Sequence, residues 1–249
     1  MPAVLAGLLG GFFMIIVMIL VMGASGAGYA SPLNLGMPAF VTTISPPLSM
    51  LPSLIGAMGI TLPPAAMNQL AAAISHGPLS APMAQHFGTM LVSMHIPVAK
   101  VQMMGLLMTG HATNNTVATL LSQLTPAARN AVMAAMPVSA GNVVIGTILH
   151  FAFSAFLGVA FFVLIGAAAW FGFPGMRNRA GIISAGMLGG AIVYAINRWA
   201  LLPPTNPMMG LVPQIAFFLA HLLFGLVVGA VIAMVLERSS LPTPTLLRR

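Results

Sequence analysis

In a chain of 249 residues, Glu237 is the only side-chain carboxylate. Charged residues of both signs make up 4% of the sequence and hydrophobic residues 59%, where a soluble domain carries about 25% charged residues. So few charges leave a water-facing fold of this size without cover. Disorder is excluded as well, because it goes with low hydrophobicity and high net charge. The solvent this chain is built for is lipid. Its formal charge of +7 does not point to nucleic acid: the basic residues are spread thinly, with no basic stripe interleaved with aromatics. The absence of Cys excludes disulfides, thiolate metal sites and cysteine nucleophiles. One carboxylate excludes paired-acid chemistry within the chain. Gly-x-Ser-x-Gly, Gly-x-x-x-x-Gly-Lys and His-Glu-x-x-His are all missing, so the expectation is a protein that is not an enzyme.

Four apolar runs are long enough to cross a bilayer core as helices, which takes about 20 residues each. The first covers residues 3–23. A cleaved signal peptide is the rival reading there, since Gly28-Tyr29-Ala30 resembles a cleavage site. The run lacks a basic n-region and is longer than the usual 7 to 15 residues, which favours a retained anchor. The second run covers 143–172, exceeds one bilayer, and ends at Gly172-Phe173-Pro174-Gly175. The third covers 181–202, before Pro203-Pro204, and the fourth 212–236, before Glu237-Arg238.

Lys and Arg in short loops set the orientation. Arg177 and Arg179 lie between the second and third runs, and Arg238, Arg248 and Arg249 follow the fourth. Lys100, Arg129 and Arg198 fall on the opposite side. The expected topology is multi-pass in a bacterial inner (cytoplasmic) membrane, with both termini cytoplasmic. The expected fold is an all-α integral membrane protein: four transmembrane helices with a helical, Pro-rich extracytoplasmic segment between the first and second. Its regions are an N-terminal anchor (1–29), a charge-poor extracytoplasmic segment (30–140), a three-helix transmembrane region (141–238) and a cytoplasmic tail (239–249).

Within the segment 30–140, short helices are expected after Pro63-Pro64, after Ser80-Ala81-Pro82, from Ala127 to Met136 after Thr125-Pro126 and before Pro137, and over 99–110. Pro32, Pro38, Pro46, Pro47 and Pro52 make its start irregular. A further crossing at 87–110 is the minority reading, because Pro97 and Lys100 interrupt it. Large exposed apolar patches are rare on monomeric proteins. A segment holding only Lys100 and Arg129 as charges is therefore expected to need cover. Other membrane-protein subunits suit it better than the bilayer surface, since surface-lying helices carry Lys or Arg on their polar face. An acidic external medium is the bland alternative.

The second and fourth runs share the pattern His-x-x-Phe-small-x-x-x-Gly, at His150 to Gly158 and His221 to Gly229. This suggests related hairpins in parallel orientation. Small-x-x-x-small pairs, which let helix backbones approach, occur in every run: Gly7/Gly11, Ser154/Gly158, Gly186/Gly190 and Gly225/Gly229. His150 and His221 have a functional reading as axial ligands of haem b and a structural one as imidazoles hydrogen-bonded across a helix interface; the structural reading is preferred. In the middle segment His86, Met90, Met94 and His95, and separately Met104, Met108 and His111, have spacings and ligand types that would suit copper. Methionine, with 21 copies, is also a common filler of apolar cores, and packing is the preferred reading.

These features give a leading expectation: a non-catalytic accessory subunit of a multi-subunit bacterial inner-membrane complex. An energy-converting host (respiratory, photosynthetic or membrane oxidase) is the base-rate choice and rests on no residue. No cofactor is required by this reading. The alternatives are a haem b or copper binder and, more remotely, an oligomeric channel or small-molecule carrier.

Overall fold

A computed structural model describes residues 1–29, 32–33, 48–136, 138–176, 178–201 and 211–239. Among the described residues all regular structure is helical. Several residues named above fall elsewhere: Pro38, Pro46, Pro47, Pro137, Arg177, Pro203, Pro204 and the tail with Arg248 and Arg249 lie outside the described residues.

Four helices are long and apolar enough to cross a membrane, as the sequence leads one to expect of a helical membrane protein. They are α1 (Pro2–Ala24), α8 (Ala140–Trp170), α9 (Arg179–Ile196) and α10 (Gln214–Ser239). A five-residue π-helix, Asn197–Leu201, extends α9. The 31 residues of α8 amount to about 46 Å of rise, well beyond a hydrocarbon core of about 30 Å. Exposed Trp170, Phe171 and Phe173 at its C-terminal end, and exposed Trp199 beyond α9, are the side-chain types that favour the membrane–water boundary. Asn178 caps α9, its Oδ1 accepting the Gly181 amide at 2.7 Å.

By contacts the chain divides into two compact units. The first comprises Met1–Leu20, Thr147–Asn197 and the chain from Gln214. Its core gathers Ala6, Phe161, Ile165, Ile182, Phe224, Val228, Ile232 and Ala233. Phe161 and Phe224 meet edge to face with ring centroids 5.9 Å apart, one of the favoured aromatic geometries.

The second unit comprises Val21–Gly146 and Arg198–Pro213. It holds α2 (Leu51–Ala57, preceded by a 3-10 turn at Leu48–Met50), α3 (Pro64–Ile74), α4 (Ala81–Ser93), α5 (Val98–Met108), α6 (Asn114–Ser122) and α7 (Pro126–Ala135). Proline in the first turn starts α2, α3, α4 and α7, where its missing N–H is no loss. Thr113 and Thr125 cap α6 and α7, their hydroxyls accepting the amides of Thr116 and Ala128 at 3.2 Å. Several helices stop the same way, with a left-handed residue followed by an amide that reaches back across the last turn. Ile60 bonds Ile55, Ile96 bonds Leu91 and His111 bonds Leu106, at 2.9–3.2 Å. The left-handed residue is Gly59 in α2 and Gly110 in α5, but His95 in α4 (φ 61°).

That stop bears on the stretch 87–110. The stretch is two helices, α4 and α5, separated by the left-handed His95 and by Pro97. Neither is long enough to span a bilayer.

The second unit also sorts its side chains more fully than its composition suggests. Large apolar residues point inward at helical spacing: Leu70 and Ile74 of α3, Phe87 and Leu91 of α4, Val101, Met104 and Met108 of α5, Val117, Leu120 and Leu121 of α6, Val132 and Met133 of α7. The exposed positions carry mostly Ala, Ser, Thr, Asn, Gln, His, Pro and Gly. An uncharged surface can thus still be a polar one. Over residues 48–136 the exposed large apolar side chains are Met83, Val92, Val98 and Leu106, all on α4 or α5, so any need for cover within this stretch centres on those two helices.

Candidate functional site

In the first unit the small residues sit where helix backbones touch. A methyl group added at Gly7 would strike the Ser154 carbonyl oxygen; one at Gly11 would strike the Ser154 side chain and lie 3.4 Å from His150 Nε2. At Gly158 it would lie 2.5 Å from the Gly7 amide nitrogen. These contacts join α1 to α8. The pair α9 and α10 is equally close: a methyl at Gly186 would strike the Gly225 carbonyl oxygen, and one at Gly190 that of His221. At Gly229 a methyl would lie 3.0 Å from Ile183 Cα. Residues with no side chain are needed at such crossings because helix association in lipid depends on van der Waals contact and not on hydrophobic exclusion.

Both intramembrane histidines lie in these crossings, and both are buried. His150 Nε2 donates to the Gly11 carbonyl at 2.9 Å, from α8 to α1. The carbonyl can only accept, so His150 carries its proton on Nε2. His221 takes the opposite tautomer. Its Nδ1 donates to the Phe217 carbonyl one turn earlier at 2.8 Å, and its Nε2 accepts from Asn197 Nδ2 at 3.2 Å. The ring is further held by Phe217 (4.4 Å) and Tyr194 (5.9 Å), both edge-on. Asn197 is placed by the π-helix that begins at that residue; π segments often mark functional positions in helices. This is the arrangement of imidazoles that tie helix to helix. A haem iron between them would require Nε2 of His150 to surrender its proton and its bond to Gly11, and Asn197 to move off Nε2 of His221. Tyr194, Asn197 and Phe217 carry as much of this cluster as His221, and sequence spacing did not single them out. The signal that was present is a polar Asn near the end of an apolar run.

The proposed copper residues are spread differently from their sequence spacing. His86 is on the exposed face of α4, with its ring against Phe87 at 6.0 Å. Met90 and Met94 are half-buried, and His95 is exposed in the left-handed turn beyond the helix. Met104 and Met108 are buried in the core. His111 is exposed and lies past the end of α5. Met94, at the cap of α4, still follows the helical register, its amide bonding the Met90 carbonyl at 3.2 Å, whereas His111 lies beyond left-handed Gly110 and has left the register of α5. Among the described residues no three of His, Asp and Glu gather at one place.

The second unit holds a more open feature. A groove of about 720 Å³ runs between α4 and α5, lined by Ala81, Gln85, Thr89, Val92, Gln102 and Leu106 among others. Its floor is low because the crossing is made of small residues: Gly88 sits 3.6 Å, measured from an added methyl, from Val101, and Gly105 has open space above it. Two of the four exposed large apolar side chains of residues 48–136, Val92 and Leu106, face into it. Its lining carries no charge. Comparison with family models, curated proteins and solved structures finds no match for the chain.

Proposed function

We propose that this chain is a non-catalytic subunit of a multi-subunit bacterial inner-membrane assembly. In this reading its four long helices form an anchor, and its second unit, on the extracytoplasmic side, offers a docking face to another protein. The observation that carries the reading is that the exposed large apolar side chains of residues 48–136 all lie on α4 and α5, two of them, Val92 and Leu106, lining an uncharged groove. Interface cores are depleted of charge in the same way. The uncharged amides at the rim, Gln85 and Gln102, supply hydrogen bonds without the desolvation cost of ions.

The membrane unit supports an anchor over a conduit. Backbone-to-backbone contact at Gly7, Gly158, Gly186 and Gly225 leaves no room for a permeant between α1 and α8 or between α9 and α10. The orientation rests on Arg177, Arg179, Arg238, Arg248 and Arg249 lying on one side of the four crossings, which puts both termini in the cytoplasm.

Site-specific photocross-linking tests the reading. A photoreactive residue at Val92 or Leu106 in the native membrane is expected to give one discrete higher-mass adduct, and the same probe at Asn68 or Gln123 on other faces to give none. Cross-links to lipid alone at all four positions would contradict it.

A further inference from the structure

The two glycine-lined helix pairs are built on one plan, down to the residue. α1 carries Ala6-Gly7-Leu8-Leu9-Gly10-Gly11 and α9 carries Ala185-Gly186-Met187-Leu188-Gly189-Gly190, identical at five of six positions. Each packs against a helix with the pattern His-x-x-Phe-small-x-x-x-Gly. The contacts correspond one to one. Gly7 meets Ser154 and Gly158, four and eight residues after His150; Gly186 meets Gly225 and Gly229, four and eight residues after His221. Gly11 meets Ser154 and His150; Gly190 meets Gly225 and His221. The remaining glycine of each sextet faces the other pair. A methyl at Gly10 would lie 2.9 Å from the Phe224 ring of α10, and one at Gly189 would lie 2.7 Å from the Phe161 ring of α8. Those two rings then meet each other. Each pair thus lends an aromatic ring to the third glycine of the other, although the two rings are not equivalent positions of the repeat.

We propose that the membrane unit is a fused dimer: two copies of a two-helix hairpin, α1 with α8 and α9 with α10, arranged as parallel repeats. It follows that residues 25–139, with the helical unit they contain, are an insertion into the connection that residues 202–213 make in the second copy. Sequence agreement in the glycine sextet and the register of the contacts are separate observations, and both select the same alignment. The copies have since diverged at definite places. Ile15 and Met18 of α1 stand where Tyr194 and Asn197 stand in α9, so across the crossing His150 bonds a backbone carbonyl and His221 a side chain. The rings facing Gly10 and Gly189 come from sequence positions two turns apart in their helices. The proposal does not depend on the partner-docking reading; it locates what is particular to this chain in the inserted unit.

The test is an exchange of connections in the full-length protein. Residues 25–139 are moved to join the second pair, and residues 202–213 to join the first, so that every residue is retained. The exchanged protein is expected to insert in the membrane, keep its helix content by circular dichroism and release the same protease-resistant fragment from residues 48–136. Failure to insert, or loss of that fragment, overturns the insertion. A second set of variants tests the fused dimer without rearranging the chain. Gly10→Ala is expected to lower the unfolding midpoint in detergent, with Phe224→Leu restoring most of the loss and Phe161→Leu restoring none. Gly189→Ala is expected to behave in mirror image, rescued by Phe161→Leu alone. Absence of either loss, or rescue by the wrong ring, overturns the reciprocal interface.

Discussion

At the scale of single residues, the chain replaces charge by close approach. Soluble proteins of this size hold their surfaces in water with ionic groups; here the decisive side chains are often the missing ones. Gly7 and Gly186 each face a backbone carbonyl oxygen across a helix crossing, so any larger residue pushes two helices apart. Gly7→Leu and Gly186→Leu are each expected to cost about 1–3 kcal/mol through overpacking, read as a lowered midpoint of unfolding in mixed detergent. Gly166→Leu, with open space around it, is the control and is expected to cost little. The imidazole ties are weaker. Removing the Asn197 donor to His221 as Asn197→Ala is expected to cost about 0.6 kcal/mol, the average for hydrogen bonds between membrane helices, and at most about 1.7 kcal/mol. A change below the error of the measurement would mean that the tie is not formed. The small-x-x-x-small pairs were legible in sequence because their spacing is that of a helix face. Which helix each face meets was not, since a glycine meeting a carbonyl leaves no complementary side chain to read. The bond from His150 to the Gly11 carbonyl was hidden for the same reason.

At the scale of elements, four spans could be read at once because an apolar run of about 20 residues matches the thickness of a bilayer core and little else. The second unit was harder. The helices starting at Pro64, Ala81 and Pro126 announce themselves by proline and capping residues. α2 was concealed by Pro46, Pro47 and Pro52, which read together as irregular chain, although Pro52 sits in a first turn where proline fits. α6, rich in Asn and Thr, was concealed by weak helix formers, yet Thr113 caps it. The single left-handed His95 has a larger consequence, since it separates α4 from α5 and so shapes the groove. A non-glycine residue with positive φ is uncommon, and more so when β-branched. His95→Gly is expected to raise the stability of the second unit or leave it unchanged. His95→Val is expected to lower it, to about 1–2 kcal/mol below the glycine variant, the cost of holding a side chain in the left-handed region. Thermal unfolding followed by circular dichroism checks both. Equal stability of the two variants would mean that the turn does not keep this conformation.

At the scale of the molecule, the chain joins two solutions to one problem. The first unit buries glycines where helix backbones cross and, around its own apolar core, also shows many large apolar side chains outward, as lipid permits. Residues 48–136 of the second unit bury most of their large apolar side chains and turn mostly small or uncharged polar ones outward, a sorting that suits water. The exceptions among residues 48–136, Met83, Val92, Val98 and Leu106 on α4 and α5, form the face we propose for a partner. The measurement that bears most directly on this is the mass of the intact particle, taken by native mass spectrometry after gentle extraction from its own membrane. Wild type is expected to appear with a second polypeptide in fixed ratio. Leu106→Arg, which puts a charge into the groove, is expected to appear alone with an unchanged unfolding midpoint. Wild type appearing alone, or Leu106→Arg retaining the second polypeptide, would contradict the account.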